Sequence, residues 1–66
     1  MAEKAEERSL RGLALRKRIA DAGLTMSEFS QRTNFGRNRT WRLVSGQVAT
    51  REQEVTIDRV LDKTAN

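Results

Sequence analysis

Cysteine, histidine, proline and tyrosine are all missing from this 66-residue chain, and its aromatics are one tryptophan and two phenylalanines. Without cysteine there is no disulfide, and without cysteine or histidine there is no zinc-finger ligand set. The same lack removes the commonest general bases, nucleophiles and transition-metal ligands. There is no glycine-rich phosphate loop, and a domain this small has little room for a pocket. The expectation is a protein that is not an enzyme, with no cofactor, no metal site and no small-molecule ligand. No apolar run approaches the roughly 18 residues needed to span a bilayer. Residues 1–8, MAEKAEER, are charged and carry no apolar segment behind them, so no signal peptide is read there. A thiol-free chain suits the reducing cytoplasm, which is the expected location.

What is present is charge, unevenly placed. The net charge is +4. Residues 1–8 carry −1 and residues 50–66 carry −1, whereas residues 9–49 carry +6, most of it as arginine. Clustered arginine suits a polyanionic partner through phosphate and base-edge contacts. A chain of this length forms one domain and buries only about 60% of its unfolded surface, so its stability is modest.

Periodicity predicts an all-α domain of four helices, at about 9–22, 26–33, 37–45 and 51–62. Residues 1–8 have no apolar face and are read as a charged flexible tail or exposed helical extension, and residues 63–66 as a frayed end. Helix 1 takes Ser9 as its N-cap. Leu15, Ile19 and Ala22 mark its buried side, with Leu10, Leu13 or Ala14 nearby, and Gly23 ends it. Helix 2 opens with Thr25 and Glu28, a capping box, and turns Phe29, Ser30 and Thr33 inward. Asn34 supplies a left-handed turn and Phe35 plugs the corner. Helix 3 has Thr40, Leu43 and Val44 on one side and Arg37, Asn38, Trp41, Arg42 and Ser45 on the other, and Gly46 closes it. Helix 4 opens with a second capping box, Thr50 and Gln53, and carries the stripe Ile57, Val60, Leu61. Residues 55–57, Val-Thr-Ile, are β-prone, so a short strand or wing stands as an alternative.

A capped two-turn helix, a short turn and a second short helix make a helix-turn-helix pattern, whose second helix can enter a groove about 12 Å wide. The stretch GLTMSEFSQRTNFGRNRTWRLVSGQ resembles the helix-turn-helix of the lambda repressor and Cro family, often called XRE-type. The matching features are the Gly-apolar-Thr entry to helix 2, Phe29-Ser30 as the apolar-small pair, Asn34 at the turn, Phe35 after it and Gly46 at the end of helix 3. The preceding LRKRIADAG is similar to the family's first helix, and the resemblance covers roughly residues 13–61. Met26 stands where the family often has Gln, Thr40 where it has Ile or Val, and Trp41 where it has a small residue, and there is no room for the family's full fifth helix.

The resemblance implies sequence-specific binding of double-stranded DNA by a transcriptional regulator, a repressor of phage or mobile-element type, acting at the nucleoid. Its base-reading positions fall on Arg37, Asn38 and Arg42. Arginine can donate two bonds to guanine O6 and N7, and asparagine can pair with adenine N6 and N7. Trp41 joins them as a surface for a thymine methyl or a sugar, or else folds against helix 2 or a dimer partner. Thr25, Ser27, Arg39, Ser45, Gln47 and Arg51 are phosphate-contact candidates, with a pure N-cap as the simpler role for Thr25. Arg16 and Arg18 are read as surface charges adding to the long-range field. One domain makes few base contacts, so a homodimer on a palindrome, or membership of a larger dimeric protein, is expected. Trp41 and Val48 are the exposed apolar candidates for that contact. The alternative is a protein-interaction module, antitoxin-like or polymerase-contacting, that uses the same helical surface with Trp41 as its anchor.

Overall fold

The computed structural model describes residues 4–65, with side chains over residues 4–62. Four helices follow one another: α1 Ala5–Asp21, α2 Met26–Thr33, α3 Arg37–Val44 and α4 Arg51–Ala65. The fold is the expected all-α domain. Helix α1 packs on α3 and α4, and α2 packs on α3 and α4. Between them lie Ile19, Leu24, Phe29, Leu43, Val44, Ile57 and Leu61, with Leu15, Ala22, Phe35, Ala49 and Val60 half-buried around them. Phe29 and Ile19 are sealed completely, and the Phe35 ring meets Phe29 edge-on at 6.1 Å, so Phe35 does plug the corner.

Helix α1 differs from expectation at its start. It begins at Ala5 with Lys4 as an N-cap that makes no side-chain cap bond, and Ser9 lies inside the helix. Residues 5–8 are therefore its first turn, the exposed helical extension of the two readings rather than the tail, and residues 1–3 lie outside the described residues. The run Ala-Glu-Glu-Arg is made of strong helix formers, and Glu6 and Glu7 sit where the helix dipole favours negative charge. What this segment packs against is backbone. A Cβ at Gly12 would collide with the Val44 carbonyl oxygen, and one at Gly46 would collide with the Arg8 carbonyl oxygen. The close approach of α1 to α3 thus replaces the apolar contacts expected of Leu10 and Leu13, which are 62% and 60% exposed.

The ends of α1 and α3 share one device. Gly23 (φ 77°) lets its N–H bond the Ala20 carbonyl at 2.9 Å while the Leu24 N–H reaches Ile19 at 3.1 Å. That tucks Leu24 into the core beside Ile19, a position that helical periodicity cannot pick out because it lies between helices. After α3, the Gly46 N–H bonds Leu43 at 3.1 Å and the Gln47 N–H bonds Arg42 at 3.0 Å. Ser45 is the C-cap, one residue beyond the last helical position.

Both predicted capping boxes are formed. Thr25 Oγ1 accepts from the Glu28 N–H, and the Glu28 carboxylate accepts from the Thr25 N–H, each at 3.1 Å. Thr50 Oγ1 accepts from the Gln53 N–H at 3.1 Å, and the Gln53 side chain accepts from the Thr50 N–H at 2.9 Å. Residues 55–57 lie within α4, so the β-prone tripeptide makes no strand or wing. Burial of Ile57 and Leu61 against α1 and α2 outweighs local propensity. The backbone of residues 63–65 continues α4 where a frayed end was expected, and Asn66 lies outside the described residues.

One core position is poorly matched chemically. Thr40 is 4% exposed and its hydroxyl has no hydrogen-bond partner. Thr33, also buried, donates to the Phe29 carbonyl at 2.7 Å. Thr40→Val keeps the shape and removes the stranded hydroxyl. It should stabilise the fold by about 1 kcal/mol and raise the melting temperature by roughly 5 °C in a calorimetric scan.

Candidate nucleic-acid interface

Residues 34–36 place α3. Asn34 takes the left-handed conformation (φ 60°, ψ 23°) expected of it, and Gly36 follows at φ 83°. The Thr33 hydroxyl accepts from the Phe35 N–H at 3.4 Å, which ties the turn to the end of α2. Helix α3 then runs for eight residues with Thr40, Leu43 and Val44 buried. Arg37, Asn38, Arg39, Trp41, Arg42 and Ser45 are all exposed. No acidic residue lies on the helix.

Its C-terminal end is held from α1. Arg11 donates to the Gly46 carbonyl at 2.7 Å, and Arg16 donates through Nε to the Val44 carbonyl at 3.2 Å. Two cations thereby cover carbonyls at the negative end of the helix dipole, and α3 is fixed in rotation relative to α1. The Arg16 guanidinium also lies over the Trp41 ring, 5.8 Å from its centre. Trp41 stays 64% exposed, so its ring is presented at the surface rather than folded under α2. Arg18, the other cation read as a plain surface charge, pairs with Asp58 at 2.9 Å and links α1 to α4. Both partners are exposed, so the link contributes well under about 1 kcal/mol.

The N-terminal end of α3 is open. Gly36 supplies no side-chain cap, unlike Thr25 and Thr50 at the starts of α2 and α4. A shallow concavity there is lined by Phe35, Gly36, Arg37, Asn38, Arg39 and Arg42. Free N–H groups and flanking arginines are the chemistry that holds an anionic oxygen.

Two further hollows border the exposed face of α3. One lies between α2 and α3, where Met26, Ser27, Ser30 and Gln31 stand opposite Arg37, Asn38 and Trp41. The other lies at the far end, where Arg42, Ser45, Gln47 and Val48 meet Arg8 and Arg11 of α1. The structure thus brings Arg37, Asn38, Trp41, Arg42, Ser27, Arg39, Ser45 and Gln47 onto one continuous surface. Arg51 stands exposed at the start of α4 and lines none of the three hollows. Thr25 is also outside them, with its hydroxyl oxygen and backbone N–H both engaged with Glu28, so its position fits the cap role.

Sequence reasoning missed Arg8, Arg11 and Arg16 as members of this surface. Helical spacing groups Arg8 with Gly12, Leu15 and Ile19 on the inner side of α1, but only once the helix is known to start before it.

The α2 cap also titrates. The Glu28 carboxyl is held below its ordinary value, first by the Thr25 backbone N–H and then by the Thr25 hydroxyl, against an opposing effect of desolvation, with the least part from the charge of Arg32. A depressed carboxyl stabilises the fold above its unfolded pKa, and this contribution disappears as pH falls through the folded one. Urea midpoints measured from neutral pH down to about pH 3 should fall more for the native chain than for Glu28→Gln, which keeps the cap geometry but does not ionise.

Among the described residues no group of acidic, histidine or cysteine side chains could hold a metal ion, and no helix is long and apolar enough to cross a membrane. Compared with known proteins, the chain matches no family model, no curated protein and no solved structure.

Proposed function

We propose that this chain is a sequence-specific double-stranded DNA-binding domain of a transcriptional regulator that lays α3 in the major groove. One observation carries the reading. A short helix without acidic residues is anchored by Thr40, Leu43 and Val44 and exposes Arg37, Asn38, Trp41, Arg42 and Ser45 together. A continuous exposed face with two arginines, an asparagine and an indole has the donors and apolar surface that base edges require. The neighbouring chemistry agrees with it. The open start of α3 and Arg39 suit a phosphate at one end, Ser45 and Gln47 suit one at the other, and Ser27 lies alongside. Arg8 and Arg11 add positive charge at the Gln47 end. Occupying a promoter in this way blocks polymerase, so the action proposed is repression, in the cytoplasm at the nucleoid, on the phage or mobile-element pattern of the family the sequence resembles.

Trp41 is the chain's sole tryptophan and sits on the proposed surface, so its fluorescence reports binding without a label. Titration with random-sequence duplex at low salt should quench or shift its emission. The logarithm of the affinity should then fall linearly with the logarithm of salt, with a slope of about −0.9 per phosphate neutralised. Absence of binding at low salt would overturn the reading and favour a protein partner for Trp41. Selection of bound duplexes from a random pool then yields the preferred site.

A further inference from the structure

Helix α1 carries a second stripe that the fold leaves uncovered. Glu6, Leu10, Leu13 and Lys17 are all exposed. At about 100° per residue they fall within one narrow sector of the helix, on the side away from Gly12 and Ile19, which face the rest of the domain. Their spacing of four, three and four residues is that of a helix–helix seam. Leu10 and Leu13 are exposed by more than half and lie side by side at its middle.

The stripe is complementary to itself. When two copies of α1 are laid antiparallel about a two-fold axis between residues 11 and 12, Leu10 of one meets Leu13 of the other, twice. In the same register Glu6 of each meets Lys17 of the other, so two apolar contacts are flanked by two opposite-charge pairs. Ser9 lies along one margin of the stripe and Ala14 along the other, and these small side chains permit close approach. Among the described residues neither Glu6 nor Lys17 has a side-chain ion-pair partner. A parallel arrangement would set Glu6 against Glu6 and Lys17 against Lys17, so the charges select the antiparallel one.

We infer that the Glu6–Lys17 face of α1 is an isologous self-association surface whose occupant is the same face of a second copy of this chain. Two leucines flanked by two charge pairs cover less than the roughly 800 Å² per partner of a standard stable interface, which makes the dimer a weak one. The surface lies on the opposite side of α1 from α3, so both α3 faces stay exposed in the pair, related by a two-fold axis. The inference does not depend on DNA binding. It also places the contact away from Trp41 and Val48.

Sedimentation equilibrium of the full chain, up to millimolar concentration, tests it. The native chain should fit a monomer–dimer equilibrium. Glu6→Lys alone and Lys17→Glu alone each turn both charge pairs repulsive and should weaken self-association about tenfold or more. An equimolar mixture of the two variants should regain native affinity. Across the axis the introduced lysine of one chain then meets the introduced glutamate of the other, and the unaltered Lys17 of the first meets the unaltered Glu6 of the second. Circular dichroism of each variant checks that it remains folded, and rescue on mixing cannot arise from two misfolded chains. A native chain that stays monomeric at millimolar concentration, single variants that associate as the native chain does, or a mixture no stronger than its components would each overturn the assignment.

Discussion

Gly12→Ala should destabilise the domain by about 2 kcal/mol, although alanine is the better helix former by about 1 kcal/mol in an ordinary helix. The new methyl would run into the Val44 carbonyl oxygen, with the Gly46 nitrogen 3.1 Å away. These are backbone atoms at the end of α3, and they cannot swing aside as a side chain does. To make room, α1 must lift from α3, which opens the core around Ile19 and Val44 and pulls Arg11 and Arg16 off the carbonyls they cover. For a chain with a total stability of a few kcal/mol, this lowers the melting temperature by about 10 °C. Gly23→Ala is the control. It meets nothing within 4 Å and bears only the strain of its φ of 77°, so its effect should be smaller. If Gly12→Ala melted at or above the native temperature, the close approach of α1 to α3 would not exist.

The second large effect concerns DNA and rests on the proposed function. Arg37→Ala or Asn38→Ala should cost about 1–3 kcal/mol against the preferred site, roughly a five- to 150-fold loss, and relax preference at one or two base positions. Affinity for random duplex should change far less for Asn38→Ala, which removes no charge. Arg39→Ala or Gln47→Ala should instead weaken binding evenly across sequences, and Arg39→Ala should reduce the salt slope by about one unit. Binding measured on a panel of single-base variants of the selected site separates the two patterns. Unchanged affinity and unchanged preference for Arg37→Ala would remove it from the base-reading set. A salt slope unaltered by Arg39→Ala would take that residue out of contact with phosphate.

The parts of the fold that were legible in the sequence are those set by local chemistry. Thr25 with Glu28 and Thr50 with Gln53 announce their helices because a cap needs only residues within one turn. Asn34 announces the turn because few residues tolerate its backbone conformation. The split of α3 into Thr40, Leu43 and Val44 behind and Arg37, Asn38, Trp41 and Arg42 in front follows from helical geometry alone. The start of α1 was not legible, because the partners of residues 8 and 12 are backbone atoms at the end of α3 and just past it. A glycine that admits a neighbouring carbonyl leaves no apolar signal, and Leu10 and Leu13 offered a false one. The roles of Arg11 and Arg16 were hidden for the same reason, since their acceptors lie 35 and 28 residues away along the chain.

By itself, then, the sequence determined four amphipathic helices, their caps and breaks, and which face of the third is cationic. Those are properties of neighbours one turn apart, and they survive without knowledge of what packs where. Only the tertiary structure decided that α1 starts at Ala5, that arginines from α1 cover the end of α3, that Trp41 lies under Arg16 yet open to solvent, and that Leu10 and Leu13 are left outside. Each of these depends on which surfaces meet across long stretches of chain. That choice is made by the packing of the whole core and is recorded at no single position.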